Sequence, residues 1–543
     1  MTISVKKQGF LSAVLVLALA FVFSAVAPSM AAELKPIQEI GLGTWTKTQY
    51  PIQYEEAFPL AESWKKLGMK VRVTPLNFPN PMLDVLFKTW DFDTFIIAFS
   101  SQMERVDPDF YTYNSFHSSN ARAGGWNMGG YISEEFDRLA EAQRVEYDLD
   151  KRKALAHQCQ QSLYRENPWI VMVNPDQLQA YNKVNFKDPV IPKVGAFEDA
   201  FAFFTIKPAG DRKVIRVAAQ ISGLKTINPL LVSEVSQVRF IMLMYDMLMR
   251  IGPDAKPRPW AAEAIDPIDQ KTIDVTLRKD LKFHDGKPLT AEDVKFTFDY
   301  MIKHTALYYK TALDPVESVD VLDRYKVRFH LKKPYAPFIT QTLAMTPLLP
   351  KHIWEKIEKP TEYRNVPPIG SGPFKFDHWR EAQEFKVSRF PDHFRPPYVD
   401  GVLVIYYGTR EASFTALVQK EADVVFETVL PHQLEELKGY DYIQTVDQPS
   451  IGSDTLILNC RRKPFDDQKF RLALAYTIPR KQMLDELYDG YGNVGGSLIA
   501  PANEFWNDPG LKPYPFDLDK AREILKEAGY RWDAEGRLCY PPE

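Results

Sequence analysis

The sequence predicts an α/β protein built from several packed units, and three observations carry that reading. Short apolar or alternating runs, such as residues 69–74 and 92–99, recur between stretches with helical periodicity, such as residues 134–145 and the segment after Thr290. The chain has 543 residues, enough for about three domain-sized units. Its composition, 45% hydrophobic and 25% charged, is that of a globular chain able to bury sizeable cores.

Taken in order, residues 41–49 alternate as a strand, and residues 58–67 read as a helix with Pro59 in its first turn and Gly68 closing it. Residues 69–74 form a strand. Residues 92–99 form another, apolar enough to be buried on both faces. The polar stretch 100–128 is too long for a plain connector, so it is a candidate functional loop. Two helices follow, 134–145 with Ser133 as N-cap and 150–164, before a strand at 169–173. A new unit begins with a strand at 214–219, an Asn228-Pro229 turn and a helix at 237–249. Thr290 and Asp293 form a capping box, with Val294, Phe298, Met301 and Ile302 as the buried stripe. The chain closes with a helix at 517–528, capped by Asp517 and stopped by Gly529, and a hairpin turn at 533–536.

Lys6 and Lys7 precede an uncharged apolar run over residues 10–26, then small residues Ser29, Ala31 and Ala32. This predicts a secretory signal peptide over residues 1–32, cleaved near Ala31 or Ala32; the competing reading is an uncleaved anchor, for which the run is short. No cysteine follows the cleavage point, so the expected product is soluble and not lipid-anchored. The net charge of −4 offers no basic surface for nucleic acid. Cys159, Cys460 and Cys539 lack metal-ligand spacing; they read as free thiols, or as one bridge plus one thiol.

Residues 456–480 organise the rest: a buried strand ending at Asn459, a turn at Pro464 and Asp466, then a helix with Phe470, Leu472, Ala473, Leu474 and Tyr476 inward. Nothing nominates a catalyst. G-x-G-x-x-G at 490–495 follows a helix rather than a strand, so it reads as a turn. The chain has no G-x-S-x-G, H-E-x-x-H or P-loop, and its nine histidines are scattered. His117 reads as a solvated or hydrogen-bonded residue, no metal ligand set is expected and no cofactor is implied.

The stretch N-x-x-x-x-P-F-D-D-x-x-x-R-x-A-L at 459–474 resembles the signature of the family 5 extracellular solute-binding proteins, the dipeptide- and oligopeptide-binding receptors of ABC importers. His284-Asp285-Gly286-Lys287-Pro288-Leu289-Thr290-Ala291-Glu292-Asp293-Val294 is similar to the family's DGKPLTAEDV, and Gly370-Ser371-Gly372-Pro373-Phe374 to its GTGPY. The resemblance implies a periplasmic-binding-protein type II-like fold, two lobes and a hinge plus an extra subdomain. It also implies a monomeric periplasmic receptor that captures a solute, a peptide first, and delivers it to an inner-membrane ABC permease without catalysis. Oligosaccharides, nickel chelates, haem and opines are other family ligands; an exported hydrolase and a periplasmic sensor or chaperone are the readings from other classes.

The order of elements departs from the family. Asp91-Phe92-Asp93, Asp107-Pro108-Asp109 and Pro168-Trp169-Ile170, which close the family's chains, come first here, and the family's opening elements start only at Val214. A circular permutation follows as an expectation, with Lys207-Pro208-Ala209-Gly210-Asp211-Arg212 joining the old ends. The expected units are residues 33–177 and 461–543 as lobe II, 178–250 and 370–460 as lobe I, and 251–369 as the extra subdomain.

Expected ligand contacts are Glu104, Arg105, Asp107, Trp126, Asn127, Tyr245, Trp379, Asn459 and Trp506. Glu104 stands where peptide-binding relatives carry an aspartate for the ligand's α-amine, one methylene longer. A carboxylate can hold an ammonium and an arginine a carboxylate, the two ends of a zwitterionic peptide. The other reading of Glu104 and Arg105, pairing with each other or with solvent, stays open. Trp126, Tyr245, Trp379 and Trp506 are stacking candidates, and Asn127, Asn459 and the 495–501 loop are hydrogen-bonding candidates.

Overall fold

The computed structural model describes residues 34–220, 224–233 and 235–542; the expected leader, residues 1–32, lies outside them. Two large sheets dominate. The first has six strands, in the order Val71–Leu76, Ile40–Trp45, Thr94–Phe99, Ser453–Leu458, Trp169–Pro175, Gly492–Asn493. Ser453–Leu458 runs antiparallel to both its neighbours and is buried along its whole length. Its alternation assigns the faces: Leu456 and Leu458 join Ile96, Ile170 and Met172 in one core, and Ile457 joins Phe95, Ile97 and Val171 in the other. This strand therefore belongs with the amino-terminal elements, which corrects the expected placement of residues 453–460 in the other lobe. Its ladder partners lie more than 270 residues away, beyond what local pattern can register.

The second sheet has seven strands, in the order Phe374–Arg380, Glu384–Arg389, Gly401–Tyr406, Val214–Ala219, Val424–Val425, Gln177–Asn182, Ile443–Gln448. A four-stranded antiparallel sheet within residues 262–331 carries the helix Ala291–Lys303, whose Thr290 and Asp293 form the expected capping box. The backbone passes between the two large sheets twice, at residue 176 and at residues 449–452.

The first described residues and the last meet at the edge of the six-stranded body. Ile37 donates to the Leu538 carbonyl at 2.9 Å, and Tyr540 donates to the Lys35 carbonyl at 2.9 Å. The Trp532 indole donates to the Leu67 carbonyl at 2.7 Å. Gly68, at φ +85°, ends the first helix, and a side chain there would run into the Gly536 carbonyl.

Several elements differ from expectation. The first helix spans Pro51–Lys66, with Pro51 rather than Pro59 in its first turn. A proline at the helix start costs no hydrogen bond, and the packing of Ala57, Leu60, Ala61 and Trp64 carries the helix through Pro59. The helix expected at 237–249 ends at Met244, because Met249–Ile251 pairs as a strand with Pro257–Pro259. Residues 100–128 form short turns, including Met103–Arg105, Phe110–Asn114 and Ser118–Asn120, and residues 105–112 are buried. Cys159, Cys460 and Cys539 are free thiols. Among the described residues no helix is long and apolar enough to cross a membrane.

Candidate functional site

Thr94–Phe99 ends where the two large bodies and the smaller sheet's unit converge. Its continuation, residues 101–104, forms one wall of a narrow cavity, about 30 Å³ of it open to a water-sized sphere. Val194, Glu198 and Asp199 face it from the seven-stranded body, Val238, Arg239 and Met242 come from the helix Val235–Met244, and Tyr308 closes the third side.

The walls carry both signs of charge. Glu198 is ion-paired with Arg239, yet burial outweighs the guanidinium and holds the Glu198 carboxyl above its ordinary range. Asp199 caps the helix Ala200–Thr205 by accepting from the Phe201 amide at 2.7 Å; its carboxyl is also raised, by burial first, against the pull of Arg250. The Tyr308 phenol is pushed well up, by burial and then by the charge of Glu104. Next to this group, Glu427 accepts from the Gln220 amide at 2.8 Å through Oε1, while its Oε2 is buried without a partner; burial raises it, with Glu198 adding and Arg410 opposing. Tyr50, from the six-stranded body, is raised by burial and feels both Arg410 and Glu198 across the gap.

Of the residues expected from sequence, the structure brings only Glu104 onto this wall. Its backbone carbonyl accepts from Gln341 Nε2 at 3.3 Å, and its carboxylate makes no hydrogen bond among the described residues. Arg105 points the other way. It is buried over the rings of Phe99 and Phe110, at 5.3 and 5.4 Å, and donates to the Ser100 carbonyl, so the two residues do not pair.

Asp107 requires correction as a ligand contact. Its two oxygens take a bidentate pair from Arg152 at 2.6 and 3.0 Å, and Thr340 Oγ1 donates to Oδ2 at 2.5 Å. Asn127 and Asn459 are also internal. Asn127 donates to the Phe116 and Tyr131 carbonyls and accepts from the Tyr131 amide; Asn459 donates to the Trp90 and Phe92 carbonyls. Tyr245 is fully buried with its hydroxyl accepting from Asn365 at 3.0 Å, and Trp506 is buried beneath Arg152. Trp126 is partly exposed and set edge-on to Phe87 and Phe110, away from the cleft lining. Trp379 lines a different depression, with Thr226, Tyr363 and Arg364. A backbone polar group that must be satisfied inside the core uses the same Asn, Asp and Arg types as a ligand site does, so local sequence does not separate the two.

Glu198, Arg239, Tyr308, Glu427 and Tyr50 were not singled out from sequence. No local motif holds them, and only the topology brings them together. His117, 8% exposed, bonds to Ser119 and Glu141.

Beneath the cleft, Tyr488 bridges two buried carboxyls. Its hydroxyl meets Glu56 Oε1 at 3.0 Å and Asp454 Oδ2 in a shorter contact. Glu56 is raised well above its ordinary range by burial and by Asp454, and burial lifts Asp454 to about 6. Gln53 donates to Asp454 at 3.0 Å, leaving Glu56 Oε2 as a buried oxygen without a partner.

Residues 256–540 match the family model for "Bacterial extracellular solute-binding proteins, family 5 Middle". The chain belongs to family 5 of these proteins. It is 29% identical over 304 residues to the oligopeptide-binding protein AppA of Bacillus subtilis, covering 53% of this chain and 54% of that one. It is 27% identical over 325 residues to the glutathione-binding protein GsiB of Shigella flexneri, covering 58% and 61%. The chain thus spans between half and two thirds of these relatives' own length. NikZ from Campylobacter jejuni, solved with Ni(L-His), is similar in fold at a TM-score of 0.50 and 22% identity, over 61% of this chain and 66% of that one. The family 5 architecture, two α/β lobes hinged by strand crossovers, is the one described above.

Proposed function

We propose that this family 5 protein is an exported receptor that holds a solute in the cleft between its two lobes and presents it to an ABC permease. The observation that carries this is Glu104: a carboxylate with no hydrogen-bond or ion-pair partner among the described residues, on one wall of a cavity whose opposite wall bears Arg239 and Glu198. Such a site suits a ligand with an ammonium and a carboxylate, and a peptide is the first candidate. AppA and GsiB, named for an oligopeptide and for glutathione, support the choice. NikZ, solved with a nickel–histidine complex, keeps a metal chelate in the test panel. The walls offer charge and hydrogen bonds without a nucleophile and its base, so the role is binding: ligand shifts an open-to-closed equilibrium that the permease reads. Export by a cleaved leader over residues 1–32 to the periplasm belongs to the same proposal.

We also infer that the chain is a circular permutation of the family order. Two facts support it: the family model matches residues 256–540, after the elements that resemble the family's closing ones, and the first and last described segments pair with each other. Lobe II is then residues 34–175 with 453–542, and lobe I plus the extra subdomain the stretch between.

The test is a thermal-shift screen over peptides, oligosaccharides and metal chelates. A ligand at a hundred times its Kd adds about 2.7 kcal/mol and is readily seen. Glu104→Gln weakens an amine-bearing ligand by tenfold or more, the loss of about 1.5–3 kcal/mol for a charge-assisted bond. Unchanged binding in that variant removes Glu104 from the site.

A further inference from the structure

Each crossover between the lobes has an acid at its edge. At Asp176 the chain leaves the strand Trp169–Pro175 of the six-stranded sheet for Gln177–Asn182 of the seven-stranded one, and Asp447 is the next-to-last residue of Ile443–Gln448, before the return at residues 449–452. Gln177–Asn182 and Ile443–Gln448 are antiparallel partners, with Asp447 opposite Leu178 and Gln448 opposite Gln177. Side chains alternate along a strand, so Asp447, Leu178 and Asp176 stand on one face, and Asp176 is the diagonal neighbour of Asp447. The two carboxyls are within hydrogen-bonding reach of each other. A carboxylate only accepts, so this contact requires a proton between them.

No base balances the pair. Asp176 Oδ1 is buried, and no N–H or hydroxyl of the described residues donates to it. The Asp176 amide faces the Tyr491 carbonyl at 3.5 Å; on that loop Asp489 is exposed, and the Tyr491 hydroxyl is tied to Lys438 Nζ at 2.6 Å and to Glu435. The helix Pro431–Leu437, packed on both hinge strands, leaves His432, Glu435 and Glu436 exposed. On the helix Arg480–Leu487, packed against Trp169–Pro175, Lys481 pairs with Asp485 and Gln482 bonds Glu486. Beside the strands Gln448 donates to the Pro192 carbonyl at 2.6 Å, and Lys193 pairs with Glu504. Of these groups only Asp447 acts on the charge of Asp176, and burial together with that neighbour raises the Asp176 carboxyl to about 7.

We propose that Asp176 and Asp447 form a proton-held clasp at the hinge: one shared proton keeps the lobes together, and its loss sets two negative charges against each other and opens the cleft. The inference rests on the receptor reading above, in which lobe movement is the signal. In the arrangement described here the lobes touch, with Ser101 Oγ donating to the Lys193 carbonyl at 2.8 Å. The backbone turns at residue 176 and at residues 449–452 when the lobes part, so the Asp176 side chain leaves its place beside Ile443–Gln448. Freed from Asp447, Asp176 returns toward the ordinary carboxylate range. The closed form therefore holds the proton more tightly than the open one, and closure is favoured at low pH and lost as pH rises through about 7.

The experiment follows the radius of gyration of the full chain without ligand, by small-angle X-ray scattering, from about pH 5 to about pH 9, the span over which the pair loses its proton. The parent expands with a midpoint at about 7. Asp176→Asn, which keeps a donor for Asp447 at every pH, stays compact throughout. Asp454, titrating at about 6 inside the six-stranded body, is present in both chains, so their difference reports on the hinge. Asp447 is exposed, so Asp447→Asn is the variant that folds if Asp176→Asn does not, and it too stays compact. A parent whose radius is constant, or a variant that expands as the parent does, overturns the proposal. No ligand enters the measurement, so its failure strikes the hinge alone and leaves the receptor reading to the thermal-shift screen.

Discussion

Removing the Asp107 carboxylate leaves Arg152 buried over the Trp506 ring, at 5.0 Å, with its charge unbalanced. Breaking one side of a buried pair costs about 3–5 kcal/mol, so Asp107→Ala should lower stability by that amount in urea denaturation. A loss below about 1 kcal/mol would mean that the pair is solvated. The Glu56–Tyr488–Asp454 group gives a pH dependence of definite sign. Asp454 titrates at about 6 in the fold against 3.8 for a free side chain, so between those values the folded state binds more protons than the unfolded one. Its contribution is therefore present at low pH and is lost as pH rises from about 4 to 6. Asp454→Asn should flatten that decline, read as the urea midpoint against pH, and an identical slope in the variant would show that the pair's proton sits elsewhere. At this scale the sequence was legible where a side chain serves its own neighbours. Ser133 accepts from the Phe136 amide at 3.3 Å, Thr290 and Asp293 cap each other, and Asp517 accepts from the Lys520 amide, all as their spacing dictates. It was not legible where a partner lies far along the chain: nothing near Asp107 announces Arg152, 45 residues on, or Thr340, 233 residues on.

Among elements, the segment at residues 335–341 holds the loop that bears Glu104. Thr340 bonds Asp107, Gln341 bonds the Glu104 carbonyl, and the Tyr335 amide donates to the Tyr147 hydroxyl at 3.1 Å. Arg144 adds a contact over the Tyr335 ring at 5.0 Å. These bonds join residues 335–341 to the Glu104 wall and hold that wall in place. Thr340→Val removes one donor to a carboxylate that keeps Arg152. Ligand release should quicken by about tenfold, the worth of a bond of roughly 1.5 kcal/mol, with little change in association rate. Stopped-flow dissociation measures this, and an unchanged release rate would confine Thr340 to a structural part. The long stretch at residues 100–128 was legible as more than a connector from its length alone. Its buried interior was not, because Asp, Asn, Tyr and Thr look polar in sequence and become internal only once Arg152, Gln143 and Thr340 satisfy them.

For the molecule as a whole, chain order and spatial order disagree, and that disagreement can be tested by rearranging the order again. Lys35 and Tyr540 are hydrogen-bonded, and Pro36 bridges Cys539, so a short glycine–serine link can join residue 542 to residue 34 without crossing a core. At the other junction, the Ala209 and Gly210 amides rest on the Asn185 carbonyl, and Arg212 reaches the buried Asp423 at 2.6 Å. A break between Ala209 and Asp211 therefore costs two loop hydrogen bonds and keeps Arg212 with its acid. On the permutation inferred above, a chain begun at Asp211 and ended at Ala209, with that link inserted, returns the elements to the family's order. It should fold to the same two lobes, with an unfolding midpoint within a few degrees of the parent and the same ligand profile in the thermal-shift screen, since loop entropy changes little when one short surface connection replaces another. The strand Ser453–Leu458 would still sit between Thr94–Phe99 and Trp169–Pro175, now reached from the opposite side of the sequence. If the rearranged chain is insoluble, or folds but binds nothing that the parent binds, the present order is not a permutation of the family's, and the pairing of the two ends is then a feature of this chain alone.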